Sequence, residues 1–530
     1  MRRWNGWGEV GRDAPLSAVA RAFLGERLGP AAPPRDASLE QVLAKLPGSR
    51  LPDGTPFETD AELRLRHAHG QSLPDWLALR YGRVGPCADG VARPRSHDEA
   101  ATALSAALKL GARVVPYGGG TSVVGHLAIP GGDQPIVNIS LERMDSLQSL
   151  DEVSRLACFE AGTPGPRLEA QLAQRGYVLG HFPQSWEYST LGGWIVARSS
   201  GQQSLRYGRI ERLLSSARLA TPRGEWRVGG FPASAAGIDL REVVMGSEGR
   251  LGLVTEATVR VRPLPETEIF HGVFFPSWEI GLEAARAITQ ADVPLSMLRM
   301  SNALETFTQL TLAGHERSIH WLRRYLALRG AGQEPVMMVL GMTGTHREVR
   351  RMRGDALSVA RRHDGVPTGQ FVGKAWAKQR FAGPYLRNSL WDAGYAVDTV
   401  ETALDWPRAT TAMNAIEAAA RSALAAESER VHAFTHLSHV YPQGCSIYST
   451  FVFRLAGDYD HDLERWKRLK AQVSKAIVES GGTISHQHGV GRDHAPYLVT
   501  EKGAVGLDVL RAIAHEMDPQ GLMNPGKLVL

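Results

Sequence analysis

The chain has 530 residues, of which 43% are hydrophobic and 22% charged, a composition typical of a folded globular protein and not of a disordered, collagen-like or coiled-coil chain. Its length is enough for two or more domains with separate cores. The 60 basic residues exceed the 55 acidic ones only slightly and form no block, so the charge gives no reason to expect a nucleic acid partner.

Cysteine use and hydropathy bear on where the protein works. Cys87, Cys158 and Cys445 are far apart and form no CxxC pair, a spacing that favours neither a disulfide framework nor a cysteine metal site. No apolar stretch of the sequence approaches the roughly 18 residues that a membrane-spanning helix needs. We therefore expect a cytoplasmic protein with at most peripheral contact with a membrane.

The pattern of predicted elements divides the chain into four parts. Residues 1–80 have helical spacing broken by prolines, residues 81–265 alternate short strands with helices, and residues 266–500 carry longer helices before strands return. A Pro-Leu-Pro joint at 263–265 marks the boundary between the second and third parts. We expect residues 501–530, which end in turns, to return to the second part. This pattern predicts an α+β fold, and it contains no internal repeat.

Local signals set the individual elements. Ser96 and Glu99 have the spacing of a capping box at the start of a helix that ends at Gly111. Residues 221–224 form the turn of a predicted hairpin. The other predicted strands cover 114–116, 136–139, 156–160, 254–262 and 446–454, and the other predicted helices cover 166–175, 280–291, 346–363 and 409–427.

Three clusters of small residues, at 118–122, 189–193 and 246–252, suit an anionic group such as a pyrophosphate. Glycine admits positive φ and lets backbone amides approach an anion, while Thr and Ser hydroxyls add donors. None of the clusters matches the GxGxxG fingerprint or the GxxxxGK[ST] loop, which argues against a nicotinamide Rossmann domain and a P-loop kinase. Taken alone, the first cluster is as typical of a tight turn as of a phosphate loop.

In this order the clusters resemble the PCMH-type FAD-binding domain of the vanillyl-alcohol oxidase superfamily. The resemblance rests on Pro116-Tyr-Gly-Gly-Gly-Thr-Ser122, Ser189-Thr-Leu-Gly-Gly193, Tyr207-Gly208 and Gly246-Ser-Glu-Gly-Arg-Leu-Gly252. Within the superfamily, the chain is similar to the alkyldihydroxyacetonephosphate synthases through Trp4-Asn5-Gly6-Trp7-Gly8, Leu298-Arg299-Met300 and Ser485-His-Gln-His-Gly-Val-Gly491. The resemblance implies two small α/β subdomains that hold FAD and a cap domain with an antiparallel sheet and helices.

The resemblance implies that FAD is bound without a covalent link, so we do not expect His181 to attach the flavin. We expect no metal. The residues implied to contact FAD are Pro116, Tyr117, Gly118, Gly119, Gly120, Thr121, Ser122, Gln184, Ser185, Ser189, Thr190, Gly193, Ala197, Arg198, Ser199, Ser200, Glu248, Gly249, Gly252, Leu253 and Val254.

The resemblance also assigns the catalytic residues. Tyr448, in an apolar-flanked strand, matches the acid/base tyrosine of the family. Because a phenol has an ordinary pKa of about 10, it needs cationic neighbours to act as a base. We expect His486 and His488, two residues apart on one face, to supply that positive charge. Arg299 matches a family arginine tied to activity, and its apolar surroundings require an anionic partner.

Three substrate-side positions differ from the family pattern. Gln487 stands where the family has the middle histidine of three, and an amide cannot carry a proton. His436 stands where the family has a substrate-contacting arginine, and Arg492 stands where it has a lysine. We expect His436 and Arg492 to bind the substrate, with Arg492 at its phosphate.

The resemblance implies an enzyme of ether-lipid synthesis. It implies exchange of the acyl group of acyl-dihydroxyacetone phosphate for a fatty alcohol, with FAD as a covalent scaffold and without net redox turnover. The partners are then a phosphorylated lipid precursor and a fatty alcohol, drawn from a membrane through the helical cap between 266 and 435. We expect a homodimer.

Three other hypotheses stay open. An FAD-dependent 2-hydroxyacid dehydrogenase of the D-lactate or glycolate type is favoured by the ending Asp518-Pro519 and Asn524-Pro-Gly-Lys527, although the GHxGDGNxH run of those enzymes is missing. A flavin-binding protein without this catalysis is favoured if Tyr448 lies outside the flavin pocket. A zinc site is the third, since four imidazoles are available: His436, His439, His486 and His488.

Overall fold

The computed structural model describes residues 1–312 and 316–529 of the chain. Its first part is helical, and polar side chains cap each helix by accepting from amides of the first turn. The helices are α1 (Ala18–Leu28), α2 (Leu39–Leu43), α3 (Ala61–Ala68) and α4 (Leu73–Arg80). This segment is tied to a distant part of the chain, because the backbone of the buried Trp7 forms hydrogen bonds of 3.1 and 2.9 Å with the side chain of Asn388.

Two small sheets with flanking helices form the second part. The strands are β1 (Gly90–Ala92), β2 (Arg113–Tyr117), β3 (Ile136–Ser140), β4 (Leu147–Asp151), β5 (Leu156–Glu160), β6 (Tyr177–Val178), β7 (Leu214–Thr221), β8 (Gly224–Gly229), β9 (Leu253–Arg260) and β10 (Arg262–Pro263). The helices are α5 (His97–Lys109), α6 (Gly165–Ala173), α7 (Leu191–Val196), α8 (Ser204–Tyr207), α9 (Ile210–Leu213) and α10 (Arg241–Val244). One sheet is parallel, in the order β1-β3-β2, and the other antiparallel, in the order β4-β5-β9-β7-β8. Both contribute to one core.

A long antiparallel sheet forms the third part. Its strands are β11 (Thr267–Phe275), β12 (Met297–Ser301), β13 (Val336–Gly344), β14 (Val366–Gly369), β15 (Tyr395–Asp405), β16 (His432–Val440) and β17 (Gly444–Arg454), in the order β14-β11-β13-β12-β16-β17-β15. The helices are α11 (Trp278–Gln290), α12 (Ala303–Leu312), α13 (Glu316–Leu328), α14 (His346–Arg362), α15 (Phe371–Gln379), α16 (Gly383–Asp392), α17 (Ala409–Ala423), α18 (Tyr459–Glu479) and α19 (Leu498–Met517).

The two faces of this cap sheet have different neighbours. One face packs on α11, α14, α17 and α18 in the largest core of the molecule. Since side chains alternate along a strand, every second residue points to the other face. Met297 and Val339 point that way and contact Trp376 of α15. This second face forms a wall of the candidate site.

The chain end returns to the second part. Met523 pairs with Val114 beside β2, and the Asn524 side-chain amide donates to the Glu248 carbonyl at 2.7 Å. This contact gives the Asp-Pro and Asn-Pro-Gly-Lys ending a structural role, so the ending no longer favours a dehydrogenase. The boundaries at 80, 265 and 500 stay a prediction.

Most local predictions match the structure, and the α+β fold is confirmed. The capping box is wrong in one half: Ser96 Oγ accepts from the Glu99 amide, but the Glu99 carboxylate accepts from the Arg95 amide instead of that of Ser96. All three cysteines are free. Among the described residues, no helix has the length and apolarity needed to cross a bilayer.

Candidate active site

The glycine-rich clusters of the sequence converge on one cavity, here called the glycine-loop cavity. The first cluster follows β2 and touches the second, since a Cβ on Gly119 would lie 1.9 Å from the carbonyl oxygen of Tyr188. Gly249 of the third cluster has a φ of +77° and packs against Pro116. The loops therefore meet at distances that only glycine allows at these positions.

Nearly all residues expected to contact FAD line the glycine-loop cavity. Gln184 and Ser200 line the adjoining cavity instead. The Arg198 guanidinium turns away and pairs with Glu242 and Glu211 at 2.9 and 3.4 Å, so the expected Arg198 side-chain contact is not supported.

Other residues of this cavity were not expected to contact FAD. His126, Trp194 and Asn524 line it, and none of them was predicted. His181 is fully buried beside Trp194 and does not line it.

The polar groups here fit a dinucleotide. The buried hydroxyls of Thr190 and Ser200 have no hydrogen-bond partner among the described residues. Such buried donors are satisfied by a ligand with acceptor oxygens. The glycine loops let backbone amides approach the same ligand, so the loops and Thr190 fit the pyrophosphate of FAD.

A second cavity, the tyrosine cavity, adjoins the first and has a volume of about 410 Å³. The two share Thr121, Val123, Ser185, Ser199, Gln487 and His488 as lining residues. Three parts of the chain form its walls: the N-terminal segment, the glycine-rich part and the cap sheet. Most of the lining residues from the cap sheet stand two apart on their strands, as one face of a sheet requires: Met297, Arg299, Val397, Thr399, Phe434, His436, Ser438, Tyr448 and Thr450. Asp398 and His439 also line the cavity.

Tyr448 lies in this cavity and has aromatic neighbours on two sides. Its ring stacks on His436 at a centroid distance of 4.7 Å and meets His488 edge-on at 6.0 Å. Burial raises the pKa of Tyr448 to about 12, while Arg299 acts in the opposite direction. The phenol is therefore protonated at neutral pH, and a proton-accepting role requires a cation that stabilises the phenolate.

Arg299 finds its anionic partner in Glu305. Its Nη2 lies 2.7 Å from Glu305 Oε1 and 3.1 Å from His436 Nδ1. Burial would raise the pKa of Glu305, but His436 and Arg299 outweigh it and lower that pKa to about 2. Arg299, Glu305 and His436 form a fixed polar group on the cavity wall. His436 therefore lies where substrate binding was predicted, already paired with a carboxylate.

The two outer histidines of the His-Gln-His segment do not share a face. His488 faces Tyr448, whereas His486 faces away, with Nε2 2.5 Å from the Tyr441 hydroxyl. Burial lowers the pKa of His486 to about 4 and also lowers the pKa of His488. Only His488 faces Tyr448, and burial disfavours the charged form of both imidazoles, so the structure does not support the expectation that the pair supplies positive charge to Tyr448.

Glu401 is a buried residue of the site that the sequence gave no reason to select. It lies on β15 opposite Tyr448 of β17, and its carboxylate accepts hydrogen bonds from Ser438 and Gln487. His486 Nδ1 and His439 Nδ1 lie 3.2 and 3.4 Å from it. Burial opposes ionisation, but the two histidines hold the pKa of Glu401 well below its ordinary value. The Gln487 side chain is thereby held in place by the Glu401 carboxylate. It cannot carry a proton as the histidine of the family pattern can.

The four imidazoles considered for zinc do not form one cluster. In the described part of the chain, the grouping of possible metal ligands contains His439, His486 and Glu401. His436 pairs with Glu305 instead, and His488 faces Tyr448. Nε2 of His439 lies 3.1 Å from the Gly201 carbonyl. The four-histidine hypothesis is wrong.

Arg387, which the sequence did not single out, lies in the cavity where Arg492 was expected. Arg492 is exposed beside Val124 and lines neither cavity, so its expected contact with a substrate phosphate is corrected. Arg387 of α16 lines the tyrosine cavity, with its guanidinium 4.3 Å from the centroid of the Trp76 ring and Nη1 donating to the Gln71 carbonyl at 2.6 Å. Burial lowers the pKa of Arg387 to about 10, which leaves it charged at pH 7.

Comparisons with known proteins agree with this geometry. A family profile described as "FAD binding domain" matches residues 88–230, and one described as "FAD linked oxidases, C-terminal domain" matches residues 264–528. The alkyldihydroxyacetonephosphate synthase of Dictyostelium discoideum is 30% identical over 90% of this chain and 79% of its own length, and that of Trypanosoma brucei brucei is 30% identical over 93% and 80%. The chain belongs to the alkyldihydroxyacetonephosphate synthase family.

Structural similarity extends over the whole chain. A solved structure of an alkyldihydroxyacetonephosphate synthase matches with a TM-score of 0.85 and 26% identity, covering 99% of both chains. The mitochondrial D-lactate dehydrogenase of Arabidopsis thaliana is a more distant relative, 25% identical over 83% of this chain and 73% of its own. The predicted PCMH-type fold with a cap domain and the predicted FAD cofactor are confirmed, and the dehydrogenase alternative has the weaker support.

Proposed function

We propose that this chain catalyses the reaction named for its family, in which a fatty alcohol replaces the acyl group of acyl-dihydroxyacetone phosphate. The observation that carries the proposal is the composition of the tyrosine cavity. A proton-transfer group, a cation and an apolar region lie in one space that joins the glycine-loop cavity. A small hydroxy acid has no alkyl chain that would occupy the apolar region.

The cavity has a suitable wall for each end of the substrate, the phosphate and the alkyl chain. Arg387 is suited to the phosphate, because it lines the cavity and a guanidinium can donate to phosphate oxygens in pairs. An alkyl chain is suited to the apolar wall, since burial of each CH₂ group stabilises binding by about 0.8 kcal/mol. That wall consists of Met297, Leu312, Trp376, Leu386, Leu390 and Phe434.

We assign the proton transfer to Tyr448 Oη. Because its pKa is near 12, the phenol keeps its proton at neutral pH until positive charge nearby stabilises the phenolate. Arg299 supplies part of that charge, and Glu305 and His436 fix its position. When bound, FAD supplies the electrophilic ring on which the exchange depends. Gln184 and Ser200, which line the tyrosine cavity next to the shared Ser185 and Ser199, would hold the ring end of the cofactor.

The experiment follows the oxygen atom of the alcohol. Holoenzyme is incubated with palmitoyl-dihydroxyacetone phosphate and ¹⁸O-labelled hexadecanol, and the masses of the products are measured by mass spectrometry. We expect an ether that retains ¹⁸O and an unlabelled fatty acid. The Tyr448→Phe variant should bind FAD and lose at least about a hundredfold in turnover. Absence of an ether product contradicts the proposed reaction, and full turnover by Tyr448→Phe contradicts the assignment to tyrosine.

We further propose a cytoplasmic, homodimeric enzyme that meets its lipid substrates at a membrane. The family likeness and the apolar cavity wall support a lipid substrate. Light scattering tests the dimer, for which a monomeric mass would contradict the proposal.

A further inference from the structure

Two uncharged groups hold Arg387 in the tyrosine cavity. Its guanidinium carbon lies 4.3 Å from the centroid of the Trp76 ring, and its Nη1 donates to the Gln71 carbonyl at 2.6 Å. The face of an aromatic ring attracts a cation through the ring quadrupole and carries no net charge. These contacts therefore fix the position of Arg387 and leave its positive charge uncompensated.

The carboxylates whose charge reaches this arginine are engaged by other donors. Both Asp398 and Asp75 act on Arg387 electrostatically. Asp398 accepts a hydrogen bond from Lys470 Nζ at 3.3 Å. Asp75 accepts from the amide and the hydroxyl of Ser72, at 3.1 and 2.6 Å, in the capping box that begins α4. The charge of Arg387 thus remains available to an anion in the cavity.

Trp76 is itself held firmly in α4. Its ring is buried, and its Nε1 donates to Gln71 Oε1 at 2.8 Å. The Gln71 amide in turn donates to the carbonyl of Ser122, in the first glycine-rich cluster, at 2.6 Å. A second guanidinium, that of Arg80, lies 5.0 Å from the centroid of the Trp76 ring and pairs with Asp36 at 2.9 Å. The ring cannot turn away from Arg387 without breaking these contacts.

We propose that Trp76 is a positioning residue that presents Arg387 to the phosphate of the substrate. The inference rests on the proposed function, which supplies the phosphate. Trp76 is not among the described residues that line the tyrosine cavity, so it acts through Arg387 and not by touching the substrate.

The chemistry of the contact explains why an aromatic ring suits this position. A carboxylate in place of the ring would pair with the guanidinium and compete with the phosphate. A ring that stacks on the face of the guanidinium leaves the N–H groups at its edge free to donate to phosphate oxygens. The N-terminal segment thereby contributes to the recognition of a phosphorylated substrate.

The test measures binding of dihydroxyacetone phosphate to the holoenzyme by isothermal titration calorimetry. We expect Trp76→Leu to raise the Kd about tenfold, because the variant loses a buried contact between a cation and a ring. Trp76→Phe keeps an aromatic face, so the rise should be no more than about threefold. In turnover assays with palmitoyl-dihydroxyacetone phosphate and hexadecanol, Trp76→Leu should raise KM by a similar factor and leave kcat within about twofold.

A double-variant cycle separates positioning from general loosening of the fold. Arg387→Ala removes the group that Trp76 positions, so the further change Trp76→Leu should not raise the Kd again. Trp278→Leu is the matched control, because Trp278 is a buried tryptophan of the same core cluster whose indole donates to Thr410. This control should bind dihydroxyacetone phosphate like the original protein. Flavin absorbance of each purified variant shows whether the fold is kept.

A second variant covers the case in which Trp76→Leu loses its flavin. Gln71→Ala removes the acceptor of the Trp76 indole N–H and keeps the backbone carbonyl that Arg387 uses. It should raise the Kd about threefold in the original protein and leave it unchanged in the Arg387→Ala background.

The outcomes distinguish the positioning role from the reaction. An unchanged Kd in Trp76→Leu overturns the proposal, and so does a rise that persists in full in the Arg387→Ala background. Absence of any binding of dihydroxyacetone phosphate to the original protein overturns it as well. If no protein converts the lipid pair while the Kd still depends on Trp76 through Arg387, the proposed function fails and the positioning role stands.

Discussion

Arg387 is the cation that the tyrosine cavity presents to a substrate. The other arginines at the cavity are already paired with carboxylates, Arg299 with Glu305 and Arg380 with Glu268. Arg387 is held by a backbone carbonyl and by the face of Trp76. Its sequence context of helix-forming residues carries no functional signal, so packing of α16 against α4 was needed to reveal it.

We expect Arg387→Ala to raise KM for the phosphorylated substrate by about 10- to 100-fold, since a hydrogen bond to a charged group contributes about 1.5–3 kcal/mol. Arg387→Lys should recover part of the loss, because it restores the charge without the paired donors. Steady-state kinetics measure both. Arg351→Ala, at an exposed arginine of α14, should leave KM unchanged. An unchanged KM in Arg387→Ala contradicts the assignment to phosphate.

Glu401 fixes Gln487 and the two histidines around it, so its role is to position them. We expect Glu401→Gln to keep FAD and to lower kcat with little change in KM, because it weakens a carboxylate-centred network without removing a side chain that touches substrate. The pH profile of kcat should also change, since the variant removes the charge that faces His486. A variant with normal kcat and pH profile would mean that Glu401 only stabilises the fold.

At the scale of elements, the contact between the first two glycine loops leaves no room for a side chain at Gly119. Gly119→Ala should abolish or strongly weaken FAD binding, because the new Cβ would lie 1.9 Å from the Tyr188 carbonyl and must push the loops apart. Gly131→Ala is a fair control, since its Cβ would meet no atom within 4 Å. Flavin absorbance of the purified variants measures the outcome. A yellow Gly119→Ala protein would show that the loops tolerate separation.

The same scale shows which elements a sequence can predict. The hydrophobic residues of strand β9 recur every two positions and those of helix α14 about every 3.6 positions. The buried residues of both elements follow these periods. Strands β12, β13 and β16 lie inside a segment whose helices dominate the pattern, so the cap sheet was expected from resemblance and not from periodicity. Their pairing is non-local, and it decides that Arg299, His436 and Tyr448 meet on one face.

At the scale of the molecule, buried neutral histidines make the fold sensitive to acid. Burial lowers the pKa of His181 to about 3. The unfolded chain takes up this proton near pH 6.5, and the folded protein does not, so the stabilisation is complete above pH 6.5 and is lost as pH falls from 6.5 toward 3. Between pH 6.5 and 5 the loss is about 2 kcal/mol for such a residue. The urea midpoint should therefore shift less between pH 7 and pH 5 in His181→Gln than in the original protein, and an equal shift would contradict this.

The role of the N-terminal segment also becomes visible only in the folded molecule. Trp7 and Gln71 line the tyrosine cavity although they lie far from Tyr448 in sequence. Composition and spacing identified the glycine loops and the family resemblance identified Tyr448. The walls contributed by this segment and by α16 depend on long-range packing, which no local pattern encodes.

The central claim is an exchange without net oxidation, and the flavin spectrum tests it directly. Holoenzyme is mixed without oxygen, in one experiment with D-lactate and in another with acyl-dihydroxyacetone phosphate plus hexadecanol. We predict that D-lactate leaves the absorbance of oxidised flavin intact, and that the lipid pair gives the ether while oxidised flavin is regenerated. Lasting bleaching by D-lactate, with no ether from the lipid pair, would contradict the account.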